Sequence, residues 1–156
     1  MTAYFLVKLV HILSGAVLFG TGAGIAFFML RAHASRDPAT VAAVARIVVL
    51  ADYVFTATAV VVQPISGLML ISLQGYSLME PWLMVAYGLY ALTGLCWLPV
   101  VVIQIRLKRL AEQAVADGSE LPAAYNRLYR LWFALGWPAF AAVLGIYWLM
   151  IAKPDF

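Results

Sequence analysis

Charge is what this sequence has least of. Of its 156 residues, ten are Lys or Arg and seven Asp or Glu, 11% together, against 65% hydrophobic. A soluble domain is nearer one quarter charged and half apolar. A single soluble domain of this length could not hide so much apolar surface, so much of it must face lipid. Cysteine is nearly absent. Cys96 stands alone inside an apolar run, which excludes an intramolecular disulfide and any paired-thiolate metal site. No phosphate-binding glycine loop, zinc spacing, nucleophile elbow or Ser-His-Asp order occurs, so the soluble-enzyme classes drop out. The basic residues sit at the ends of apolar runs and form no groove-sized patch, which argues against nucleic acid as a partner.

What is there is four long apolar stretches, at about 3–30, 47–73, 82–105 and 131–151. A bilayer core of roughly 30 Å takes about 20 helical residues, so each can cross once. The first is too long for a signal-peptide core and reads as a retained helix. Asp37-Pro38, Gln74-Gly75, Glu80-Pro81 and Asp117-Gly118-Ser119 punctuate the runs. The expected fold is an all-α, antiparallel four-helix bundle in the membrane, one domain over residues 1–156. Leu107, Leu110, Ala114, Leu121, Tyr125 and Leu128 recur at helical spacing, so helices three and four should continue beyond the bilayer.

The loops predict orientation. Arg31, Arg36 and Arg46 flank the first, Arg106, Lys108, Arg109, Arg127 and Arg130 the third, and the second has no Lys or Arg. Positive residues stay cytoplasmic during insertion, which predicts N-out and C-out in a bacterial-type inner membrane. Tyr4, Trp82, Tyr147 and Trp148 would form one aromatic belt, Tyr129 and Trp132 the other. The basic third loop would touch anionic headgroups or a docking partner.

Helix one carries the most chemistry. Tyr4, His11, Gly15, Leu18, Gly22, Ile25 and Met29 fall within about 40° of one line, with Lys8 at its margin. An ionisable residue within a span is costly and a functional candidate. His11 with Gly15 and Gly22 on its face would offer an axial nitrogen above bare helix surface, which suits a flat macrocycle such as haem b. A histidine hydrogen-bonded to a neighbouring helix, with the glycines serving packing, is the rival reading. A second axial ligand would come from Lys8, Met69, Met84 or the His11 of a second copy. His33, about 33 Å further along a continuous helix, is too far to share that metal and reads as a solvated interfacial residue beside Arg31. Ala16, Gly20 and Gly24 lie on the opposite face, a close-packing seam for another helix or protomer.

Helix two carries a polar stripe of Asp52, Thr56, Ala59, Gln63 and Ser66, which should turn inward in lipid. Pro64 should kink it and free a carbonyl near Gln63. Asp52 reads either as a carboxylate paired with Arg31 or Arg46, or as a proton or substrate site. Tyr87, Tyr90, Gly94, Trp97, Val101 and Gln104 form a matching stripe on helix three, and the mid-membrane indole of Trp97 needs a buried partner. Trp137-Pro138 predicts a kink in helix four.

The whole chain resembles an uncharacterised bacterial family of small predicted integral membrane proteins. Its segment Lys8-Leu9-Val10-His11-Ile12, with the glycine-bearing helix, Arg31 and His33 that follow, also resembles the first helix of HemJ-type protoporphyrinogen oxidases. That resemblance implies a small membrane bundle, haem b held by a first-helix histidine and a membrane oxidoreductase acting on a tetrapyrrole. It departs at Leu18, where that family has tryptophan, and lacks the family's third-helix lysine, since only Arg106 closes this span. Three expectations result: a haem-b or porphyrin redox protein centred on His11, a structural or accessory subunit associating through Ala16, Gly20 and Gly24, and a small proton or metal-ion carrier using Asp52 and Gln63. A second copy of the chain and a lipid-soluble substrate between helices two and three are the partners expected besides the bilayer.

Overall fold

The computed structural model describes residues 2–154, and within them every regular element is helical. Helix α1 spans Thr2–Ser35. Helix α2, Pro38–Ala51, passes through a π-helical turn, Asp52–Thr56, into α3, Ala57–Gln74, so the three form one continuous rod. Helices α4, Pro81–Ala116, and α5, Ala123–Ala152, complete the set. Four rods are long and apolar enough to cross a bilayer.

Each rod outruns the stretch expected from hydropathy, because polar turns continue the backbone ladder past the apolar run. The second begins at Pro38 rather than near residue 47, and the fourth at Ala123 rather than near 131. Local chemistry sets the ends. Asp37 caps α2, accepting from the N–H groups of Ala39 at 3.3 Å and Thr40 at 2.9 Å, and Pro38 occupies the first turn, where no N–H is needed. Thr40 also donates its hydroxyl to Asp37, and these bonds hold the carboxyl below its ordinary range. Gly75 ends α3 in the left-handed region (φ 70°), and the Tyr76 N–H returns to the Ile71 carbonyl at 3.1 Å.

The expected kink site at Pro64 behaves differently in detail. A proline removes the hydrogen bond to the carbonyl four residues earlier, which is Val60. The Tyr90 hydroxyl of α4 donates to that oxygen at 2.5 Å, so the freed group lies one turn before Gln63 and is met by a side chain. The larger irregularity, the π-turn, has no proline. There the Asp52 N–H is shared between Val48 and Val49, and the Ala57 N–H reaches back five residues to Asp52.

Two packed regions hold the rods together. One joins Ile25, Met29 and Ala32 of α1, Val41, Ala42 and Ala45 of α2, Leu107 and Ala111 of α4, and Tyr125, Tyr129 and Trp132 of α5. The other joins Ile71, Trp82, Leu83, Ala86 and Leu149. Alanines at the closest approaches suit a lipid environment, where association rests on van der Waals contact rather than on apolar area removed from water. Leu95, Ile47 and Ile151 stand out from the bundle, as a lipid-facing surface requires.

Candidate functional site

Asp52 is a buried carboxylate held by groups of a neighbouring helix. It is 4% exposed, at the start of the π-turn. The Trp97 indole N–H donates to Oδ1 at 3.2 Å. Gln104, with its amide turned as its neighbours demand, donates to Oδ2 at 3.0 Å and accepts from the Trp132 indole N–H at 3.2 Å. Both carboxylate oxygens thus meet neutral N–H donors. The expected pairing with Arg31 or Arg46 does not form, because Arg46 turns to Glu112 at 3.3 Å, the one ion pair among the described residues. A crevice of about 30 Å³, the size of one water, lies beside the carboxylate between Tyr53, Ala57, Trp97 and Val101. Thr56, one helical turn on, is also buried, and its hydroxyl has no partner among the described residues.

A second polar cluster lies further along α1 and α3. His11 Nδ1 is 2.8 Å from the Ser66 hydroxyl, which itself donates to the Val62 carbonyl at 2.7 Å. Ser66 has one hydrogen, and the direction of its bond to His11 follows the imidazole tautomer: with that hydrogen on Val62, Nδ1 carries the proton and Nε2 a bare lone pair. The Gln63 amide donates to the His11 carbonyl at 3.1 Å. Two glycines make this close fit. A Cβ at Gly67 would stand 3.3 Å from His11 Cε1, and one at Gly15 would stand 2.6 Å from the Gln63 amide nitrogen and 3.2 Å from the Tyr147 hydroxyl.

That geometry answers whether these residues fit a haem. Nε2 has the lone pair an axial ligand needs, but no cradle surrounds it. Gly15 is roofed by Gln63 and Tyr147, while Gly22 lies in the open with nothing within 4 Å. Met69 and Met84 are half exposed on the lipid-facing surface, and Lys8 lies 5.5 Å over the Tyr4 ring. A groove of about 250 Å³ runs between α1 and α3, but Leu6, Val7, Val10, Val62, Ile65, Ser66 and Met69 line it, and His11 does not. The flat ring expected at His11, Gly15 and Gly22 does not fit this arrangement. The seam expected at Ala16, Gly20 and Gly24 is exposed at Ala16 and Gly20 and half-buried at Gly24; a Cβ at Gly20 would meet nothing within 4 Å, and one at Gly24 only Phe28 of its own helix.

His33 also departs from expectation. It is no free interfacial group; its ring stacks on Tyr129 with centroids 3.6 Å apart and planes 11° from parallel, and Tyr125 stacks nearby at 5.8 Å. Tyr129 and Trp132, which composition assigns to an interfacial belt, are 6% exposed each and belong to the core. Their spacing with Tyr125 along α5 marks a buried face, which was the signal available for them.

The fold and site together define a four-span helical integral membrane protein with a hydrogen-bonded carboxylate in its interior. Residues 5–154 match the family described as predicted integral membrane protein (DUF2269), and the chain belongs to that family. No curated protein and no solved structure matches it.

Proposed function

We propose that this protein binds and releases a proton at Asp52 inside the bilayer, as a small proton carrier or the proton-handling part of a larger membrane system. The observation that carries this reading is the neutral surround of a buried carboxylate. An isolated charge at such depth is expensive and persists where it is functional. Trp97 and Gln104 stabilise the ionised form by hydrogen bonds, yet no cation pairs with it among the described residues, so the site cycles between carboxylate and carboxylic acid. A metal ion is a poor second choice, because no group of three His, Cys, Asp or Glu side chains comes together among the described residues. The π-turn supports the reading, since such bulges recur at working sites.

In this reading the spans alternate in direction, the basic turns face the cytoplasm of a bacterial cell, and both termini lie outside. The test is proton flux into liposomes holding the purified protein and a trapped pH dye, under an imposed potential. Wild-type protein should acidify the lumen and Asp52→Asn should not; equal flux from both would end the proposal.

A second reading rests on a separate observation. Ala16 and Gly20 are exposed on one face of α1 with Gly24 half-buried beside them, and small residues allow close helix approach in lipid. An accessory subunit would use it against another chain, and crosslinked oligomers unchanged by Gly20→Leu with Gly24→Leu would rule that face out.

A further inference from the structure

Three polar atoms in the aromatic stack near the basic turns have no partner among the described residues: His33 Nδ1, the Tyr125 hydroxyl and the Tyr129 hydroxyl. Tyr125 is fully buried and Tyr129 is 6% exposed. Buried hydroxyls and ring nitrogens left unmet cost free energy, so three together mark a place built for something that hydrogen-bonds. Their rings lie close and nearly parallel: His33 to Tyr129 at 3.6 Å, His33 to Tyr125 at 5.8 Å, and Tyr125 to Tyr129 at 6.3 Å. All three side chains can both give and take a proton.

We infer that His33, Tyr125 and Tyr129 hold ordered water and form the port through which Asp52 exchanges its proton with the side of the membrane that bears the basic turns. This rests on the reading of Asp52 above. The stack leads toward the carboxylate: the Tyr129 and Trp132 rings are 5.6 Å apart, Trp132 donates to Gln104, and Gln104 donates to Asp52. The indole and the amide orient that last leg and do not carry the proton, which travels on water beside them. At the other end, His33 lies in the last turn of α1, and its carbonyl accepts from the Arg36 N–H at 3.2 Å. The other walls are apolar, with Val41, Ala42 and Ala45 from α2 and Leu107 and Ala111 from α4, so His33 and the two tyrosines are the groups of this core that exchange protons. In one cycle a proton leaves water at the stack and binds the Asp52 carboxylate, giving a neutral carboxyl. A solvent proton then restores the stack to its starting state.

The test is a rapid pH jump on the protein in nanodiscs, followed by tryptophan fluorescence, because Trp97 donates directly to the titrating group. Asp52→Asn should abolish the signal. Tyr125→Phe with Tyr129→Phe keeps both rings and removes both hydroxyls; the equilibrium midpoint should stay while the rate falls by at least about tenfold. His33→Gln, as an independent variant, should slow the rate in the same direction. An unchanged rate in the double variant and in His33→Gln overturns the port while leaving the Asp52 reading intact. No Asp52-dependent signal in wild-type protein overturns the reading and the port together.

Discussion

A single hydroxyl can be asked how much of this bundle it holds. Tyr90 meets the Val60 carbonyl that Pro64 frees, and Tyr90→Phe leaves that oxygen unpaired in a setting without water. The loss should be about 1 kcal/mol, read as lowered thermal stability in detergent, with a fall below a few tenths contradicting the assignment. Gly15 makes a second case. A methyl there must displace the Gln63 amide, so Gly15→Ala should break the Gln63 bond to the His11 carbonyl and lower the melting temperature. No change on heating would show that Gln63 simply swings aside. The haem expectation meets its own check in the optical spectrum of purified protein, where this geometry predicts no His11-dependent Soret band. At this scale the sequence pointed to polar residues in the spans, and Asp52, Gln63, Ser66, Trp97 and Gln104 do meet partners across helices. The partners themselves were hidden, because helical angle gives a residue's face but not which rod faces it. The assignment of Asp52 to an arginine failed for that reason: Glu112, on the extension of α4 past its apolar run, takes Arg46.

Among the elements, the turn into α2 is the one with a pH dependence that can be worked out. Hydrogen bonds from Thr40, side chain first and backbone next, hold the Asp37 carboxyl below its ordinary range. A group depressed in the folded state stabilises above its unfolded value and loses that contribution as pH falls through the folded value. Asp37→Ala should therefore lower thermal stability at neutral pH, and the gap to wild type should close in acid as Asp37 protonates. A gap of constant size through acid would show that the cap acts by something other than its ionised carboxylate. Asp37-Pro38 was readable as a break between spans, though not as the start of α2, which was expected near residue 47, and Gln74-Gly75 was readable as a stop. The π-turn was not readable. Asp52–Thr56 contains neither proline nor glycine, so no residue in it marks the wide ring.

For the molecule as a whole, lipid as solvent is the condition behind every statement above, and composition alone conveyed it: few charges, four long apolar runs and all basic residues but Lys8 and Lys153 gathered at two turns. It could not convey that the rods share two separate packed regions, because in lipid both faces of a span are apolar and periodicity loses its contrast. The small-residue face of α1 gives a prediction at this scale. A Cβ at Gly20 meets nothing within 4 Å and one at Gly24 only the ring of Phe28, so with Gly20→Leu and Gly24→Leu monomer stability should hold while any self-association disperses. Unfolding of the monomer by either change would place that face inside the bundle. The most direct measurement is infrared difference spectroscopy across a pH titration of the protein in nanodiscs. The account predicts a protonated-carboxyl stretch that grows on acidification, shifts in heavy water and vanishes in Asp52→Asn. A spectrum with no such band, or one that survives the substitution, would contradict it.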